Sequence, residues 1–87
     1  MFVILVYDIG EKRVGKILKI SRKYLYRVQN SVFEGEITDA NLVKLKEELN
    51  KSINKDEDSV LFYLFRTLKY SEKHQMGLKK GGQDLII

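Results

Sequence analysis

Phe2-Val3-Ile4-Leu5-Val6-Tyr7-Asp8, with Gly10 close behind, is the stretch on which the fold turns. A continuous β-branched and aromatic run without polar alternation reads as a strand covered on both faces, and so as the centre of a sheet. Gly10 punctuates the chain. Val14, Ile17, Leu18, Ser21 and Leu25 then follow at i, i+3, i+4, i+7 and i+11, the spacing of an amphipathic helix. Lys12, Lys16, Lys19 and Lys23 repeat that spacing on another face, with Arg13 and Arg22 beside them, so one side of the helix is a lysine stripe.

Residues 26–37 return to β character through Val28, Val32, Phe33 and Ile37. Within them, Gln29-Asn30-Ser31 fits either a tight hairpin turn or a bulge in one bent strand. Thr38-Asp39 supplies an N-cap and a first-turn acid, and Leu42, Leu45, Leu49 and Ile53 continue at helical spacing. The acidic cluster Asp56-Glu57-Asp58 breaks that pattern, and residues 59–65 form another apolar, aromatic strand ending at Arg66. The order predicts an α+β, ferredoxin-like βαββαβ domain over residues 1–87, an antiparallel sheet with two helices on one face. Past Gly77 and Gly81-Gly82, the apolar end Leu85-Ile86-Ile87 is costly to leave in water. Residues 77–87 are therefore predicted to form an extra C-terminal strand on a sheet edge, that of a partner chain.

A chain of 87 residues has room for one domain whose small core gains from an oligomer interface. With 44% hydrophobic and 32% charged residues it is too apolar to be disordered. It has no cysteine, which excludes disulfides and thiolate metal sites. The opening apolar run has no basic leader and is far short of a membrane span, so the sequence predicts a cytoplasmic protein without a membrane anchor. The formal net charge of +4 favours polyanionic partners. The excess sits at the two ends of the sequence: residues 1–37 carry seven basic and four acidic side chains, residues 38–58 four and six, residues 59–87 five and two.

Asp8 lies where the first strand gives way to a Gly-containing loop, a place from which a side chain reaches a ligand. A carboxylate there can hold Mg²⁺ or Mn²⁺, cations that take oxygen ligands and act on phosphodiesters by polarising the phosphoryl oxygen and activating water. One Asp makes a poor site, and a two-fold axis near it would supply a second. The alternative is that Asp8 caps the following helix. Lys16 and Lys19 of the stripe suit phosphate contact, although most basic helical faces are only solvated. Arg27 and Arg66 stand at strand edges, where a guanidinium grips phosphate bidentately or else pairs with Glu34, Glu36 or Asp58. Phe33, Phe62, Tyr63 and Phe65 read as packing. His74, the only histidine, has no partner in the sequence for a triad or a His-rich metal site. Neither a phosphate-binding loop nor a dinucleotide fingerprint is present.

Taken together, Val6-Tyr7-Asp8-Ile9, then Arg27-Val28-Gln29-Asn30-Ser31-Val32-Phe33-Glu34-Gly35, then Asp58-Ser59-Val60 resemble the CRISPR-associated Cas-two family over nearly the whole chain. The resemblance implies a ferredoxin-like homodimer that bridges copies of the Cas-one integrase and holds double-stranded DNA during spacer acquisition, its basic surface clamping the backbone. It also implies metal-dependent endonuclease activity on RNA or duplex DNA, with Asp8 at the position of the proposed metal ligand. Arg13, Arg27, Ser31 and Phe33 fall on family positions at the site or around it, as does Tyr7 within the first motif. The loop at residues 10–13 departs from the family's frequent Pro, Asp and paired-Arg pattern. A stand-alone, toxin-like endoribonuclease of the same fold is the competing expectation.

Overall fold

The computed structural model describes residues 1–67 and 70–77. Its elements are β1 (Phe2–Asp8), α1 (Glu11–Arg22), β2 (Tyr26–Gln29), β3 (Val32–Glu36), α2 (Asp39–Ser52), β4 (Ser59–Thr67) and β5 (Tyr70–Gly77). The strands form one antiparallel sheet in the order β2-β3-β1-β4-β5. The first six elements have the ferredoxin-like order expected from the sequence, with β5 added beside β4.

The fifth strand, Tyr70–Gly77, is one the sequence did not announce, while the expected tail strand at 77–87 lies, apart from Gly77, outside the described residues. Ser71, Glu72, Lys73, His74 and Gln75 carry no apolar run, so nothing in their composition announces a strand. What makes them one is the backbone ladder to β4, with Ser59↔Gly77 and Phe62↔His74 in register.

Strand alternation sends Val3, Leu5 and Tyr7 of β1 to one face, with Phe33 of β3 and Val60, Phe62 and Leu64 of β4. There they join Ile17 and Ile20 of α1 and Leu42, Leu45 and Leu49 of α2 in a single core. The helices thus lie on one face. The expectation that β1 is covered on both faces holds fully on this face and in part on the other: Phe2, Ile4 and Val6 point the other way and stay half-buried, as do Val32 and Phe65, while Leu61 and Tyr63 of β4 on that face are buried.

Local signals place both helices. Thr38 caps α2 by accepting the Asn41 N–H at 3.1 Å, and Ile53 closes it. In α1 the buried stripe is Ile17, Ile20 and Ser21, whose hydroxyl donates to the Ile17 carbonyl at 2.8 Å, while Val14 is exposed. Leu25, which continues the helical spacing, lies past the helix end yet is buried, because its N–H still donates to the Ser21 carbonyl at 2.9 Å and turns the chain inward. Residues 26–37 combine both alternatives left open above: a hairpin turning at Asn30-Ser31, with a register shift between Arg27 and Gln29 that makes Val28 a bulge.

Candidate nucleic-acid site

Antiparallel pairing brings the end of β1, the turn before β3 and the start of β4 to the same edge of the molecule: Val6 stands opposite Val32 and Asp8 opposite Ser59. Asp8, the last residue of β1, is exposed there. Beneath it Tyr7 is buried and stacks on Phe33, with ring centroids 6.1 Å apart and planes at 27°. The Tyr7 N–H donates to the Ser31 carbonyl at 3.0 Å and its hydroxyl to the Asn30 carbonyl at 3.4 Å. Arg27 donates from Nη2 to the same Asn30 oxygen at 3.2 Å. Burial pushes the Tyr7 hydroxyl above its ordinary pKa, opposed by the fields of Arg27 and Arg22, so it remains a neutral donor. The β2–β3 turn is thereby tied to β1. Tyr7, Asp8, Arg27, Ser31 and Phe33 all gather at this end, beside a concavity of about 340 Å³ lined by Gln29, Asn30, Ser31 and Val32.

On the other side of Asp8 the loop into α1 is gripped by Asp58, whose side chain is completely buried. Its carboxylate accepts the Gly10 N–H at 2.9 Å, the Asn54 N–H at 2.8 Å, and Arg13 through Nε at 2.6 Å and Nη2 at 2.9 Å. Glu57 takes Arg13 Nη2 at 2.8 Å. The Arg13 hydrogen bonds, aided by the two backbone donors, hold the Asp58 carboxyl well below the ordinary carboxylate range against the opposing effect of burial. Gly77, at a φ of 87°, closes the cluster from β5: a Cβ there would meet the Asp58 carbonyl oxygen at 2.1 Å. The sequence marks Asp58 as part of an acidic run, a strand opening and a candidate partner for Arg27 or Arg66, whereas its partner in the structure is Arg13. The overlooked signal is an acid flush against an apolar strand, since a charge drawn inside with that strand needs partners.

Gly10, not Asp8, occupies the N-cap of α1. Arg13, expected among phosphate-binding residues, has its guanidinium on Asp58 and Glu57. Lys16 and Lys19 are exposed and line a groove of about 430 Å³ between the helices, together with Lys23, Lys51, Ile20, Glu48 and Ser52. Lys23 pairs with Glu48, which also accepts the Tyr24 hydroxyl at 2.5 Å. Arg66 sits at the opposite end of the sheet, 3.9 Å from Asp39. His74 meets Lys46, with Nδ1 2.5 Å from Nζ, and Lys46 also lies 5.5 Å from the centroid of the Phe62 ring. A lysine neighbour makes no triad. Among the described residues no group of three or more His, Asp or Glu is placed to hold a metal ion. A hard divalent cation commonly takes one or two carboxylates, water and substrate phosphate. One chain's Asp8 fits as half of such a donor set and does not make a metal site alone.

A ferredoxin-like sheet with an exposed strand-end carboxylate, an arginine-bearing hairpin and a lysine-lined helical face defines a small α+β protein. Comparison with known proteins is specific. The sequence pattern described as "CRISPR associated protein Cas2" matches residues 1–73. The chain is 49% identical to the CRISPR-associated endoribonuclease Cas2 of Dictyoglomus turgidum and 50% identical to that of Thermotoga maritima, each over 87 residues and the full length of both proteins. A crystal structure of a Cas2 superposes with a TM-score of 0.74 at 40% identity, covering 100% of this chain and 98% of the other. Streptococcus pyogenes Cas2 at pH 6.5 gives 0.69 at 38% identity, covering 75% and 86%. The chain belongs to the CRISPR-associated Cas2 family.

Proposed function

We propose that this protein is a homodimeric nucleic-acid subunit of CRISPR adaptation that bridges copies of the Cas-one integrase on double-stranded DNA, and that it also cleaves single-stranded RNA with Mg²⁺ at paired Asp8 residues. The observation that carries this reading is the convergence of Asp8, Tyr7, Arg27 and Ser31 at one end of the sheet. Its neighbour is the exposed face of α1, where Lys16 and Lys19 have no ion pair among the described residues. The half-buried apolar face formed by Phe2, Ile4, Val6 and Val32 supports a second copy packing there. The relatives named endoribonucleases support RNA as the cleaved substrate.

Mg²⁺ held between two Asp8 carboxylates would supply a polarised phosphoryl oxygen and an activated water. This chain's own residues do the rest. Arg27 and the lysine face bind the phosphate backbone, Tyr7 and Phe33 set the height of the strand end, and Ser31 fixes the turn through its carbonyl. The test is binding and cleavage measured across a salt series. Each of Lys16→Ala and Lys19→Ala is expected to lower the slope of log affinity against log salt by about 0.7 to 0.9, and Asp8→Asn to abolish cleavage while leaving dimerisation intact. Unchanged salt slopes together with full cleavage by Asp8→Asn would refute the reading. Spacer integration reconstituted with the integrase separates the adaptation subunit from a stand-alone ribonuclease, which would cleave RNA and leave integration unaffected.

A further inference from the structure

We infer that Asp58 and Arg13 form a positioning brace for Asp8, in which Arg13 serves as a clamp on the β1–α1 loop and not as a phosphate ligand. The inference rests on the site proposed above and adds the residues that aim its carboxylate. Three observations carry it. The Asp58 carboxylate is fully buried and accepts four hydrogen bonds from three separate segments: Gly10 in the loop, Arg13 in the first turn of α1, and Asn54 in the connection from α2. Asp8 lies two residues before the gripped Gly10, and its backbone stands opposite Ser59, the neighbour of Asp58. The backbone on either side of Asp8 is therefore fixed, by the Tyr7–Ser31 hydrogen bond before it and the Gly10–Asp58 hydrogen bond after it.

The chemistry of Arg13 points the same way. Its Nε and Nη2 are turned in a fork onto one carboxylate, Glu57 takes Nη2 as well, and only a quarter of the side chain meets solvent. A guanidinium engaged bidentately by a buried anion gives up a strong partner to reach a phosphate. Gly10 closes the arrangement, since a Cβ there would lie 2.6 Å from Arg13 Nη2.

The experiment compares the full-length protein with Asp58→Asn, Arg13→Gln and the double variant, with Asp8→Asn as reference, in cleavage of single-stranded RNA with Mg²⁺. Asp58→Asn and Arg13→Gln are each expected to lower kcat by about 100-fold, the scale on which small misplacement of a reacting group acts. KM and the salt slope of RNA binding should stay unchanged, and the double variant should be no worse than the weaker single one. Hydrogen exchange at the Gly10 amide should accelerate in both single variants. Arg13→Lys, which keeps the charge and loses the fork, should behave as Arg13→Gln does, which secures the test if Asp58→Asn folds poorly. Arg13→Gln with intact kcat, a raised KM and a salt slope lowered by about one would make Arg13 a phosphate ligand and overturn the inference. So would a folded Asp58→Asn with full kcat. If Asp8→Asn itself still cleaves, the proposed site fails, while Gly10 exchange and the Asp8 backbone chemical shifts still decide whether the brace holds the loop.

Discussion

Asp8 ends β1 and Asp58 immediately precedes β4, so the two carboxylates leave neighbouring strands within one residue of the same register pair, Asp8↔Ser59. Their surroundings are opposite. Asp8 is exposed at the strand end. Asp58 is sealed inside, its oxygens taken by two backbone amides and a guanidinium. The difference teaches that two aspartates on neighbouring strands divide the work, the buried one holding the loop that follows the exposed one. A site built on rigid neighbours keeps its geometry better than one left on a free loop.

The comparison can be broken or sharpened at several points, and the largest expected effect lies beneath it. Phe33→Ala removes a fully buried ring from under Tyr7 and is expected to cost about 3–5 kcal/mol, read from urea unfolding midpoints. Asp58→Ala should cost about 2–3 kcal/mol, below the usual range for a broken buried pair because Arg13 keeps partial access to water. Asp8→Asn, by contrast, should change stability by less than about 0.5 kcal/mol while abolishing cleavage. Equal costs for the two aspartates in the same unfolding assay would erase the distinction drawn between them.

Acid titration sharpens it further. The Asp58 pKa in the fold is lowered from an ordinary 3.8, so the unfolded chain takes up the proton first. The stabilisation is complete above that ordinary value and is lost as the pH falls below it toward the lowered folded value. Unfolding followed from pH 6 to pH 2 should therefore show a loss of stability below about pH 4 that is reduced in Asp58→Asn and retained in Asp8→Asn. The smallest effect is expected at the far end of the sheet. Arg66→Ala breaks an exposed 3.9 Å pair with Asp39 and should move stability by less than about 0.5 kcal/mol. A larger shift in its melting temperature would mean that this end is braced as firmly as the other.

Much of this was readable from consecutive residues. The unbroken run of residues 2–7, the helical spacing of Leu42, Leu45 and Leu49 and the Thr38 cap all appear in the structure as expected, because each signal is local and repeats with the period of its element. Asp8 at a strand end, with Tyr7, Arg27, Ser31 and Phe33 around it, was likewise legible from the motif segments. Other features were not. Tyr70–Gly77 carries no apolar period and becomes a strand only by pairing with β4. Ile20 is buried where Val14 is exposed, because the position of the sheet decides which part of a broad apolar stripe faces inward. The partner of Arg13 lies 45 residues away, and that of Gly10 lies 48 away.

The sequence by itself determined β1, the two helices and β4, their order, the family and the strand-end aspartate, all of which rest on patterns within short spans of chain. Only the tertiary structure decided that one face of the sheet is covered by helices while the other is covered in part, that Arg13 turns inward, and that Asp58 is the buried anion which receives it. Those facts depend on which distant groups share a desolvated space. A buried charge takes whatever partners folding brings within hydrogen-bonding distance, and local spacing carries no record of them.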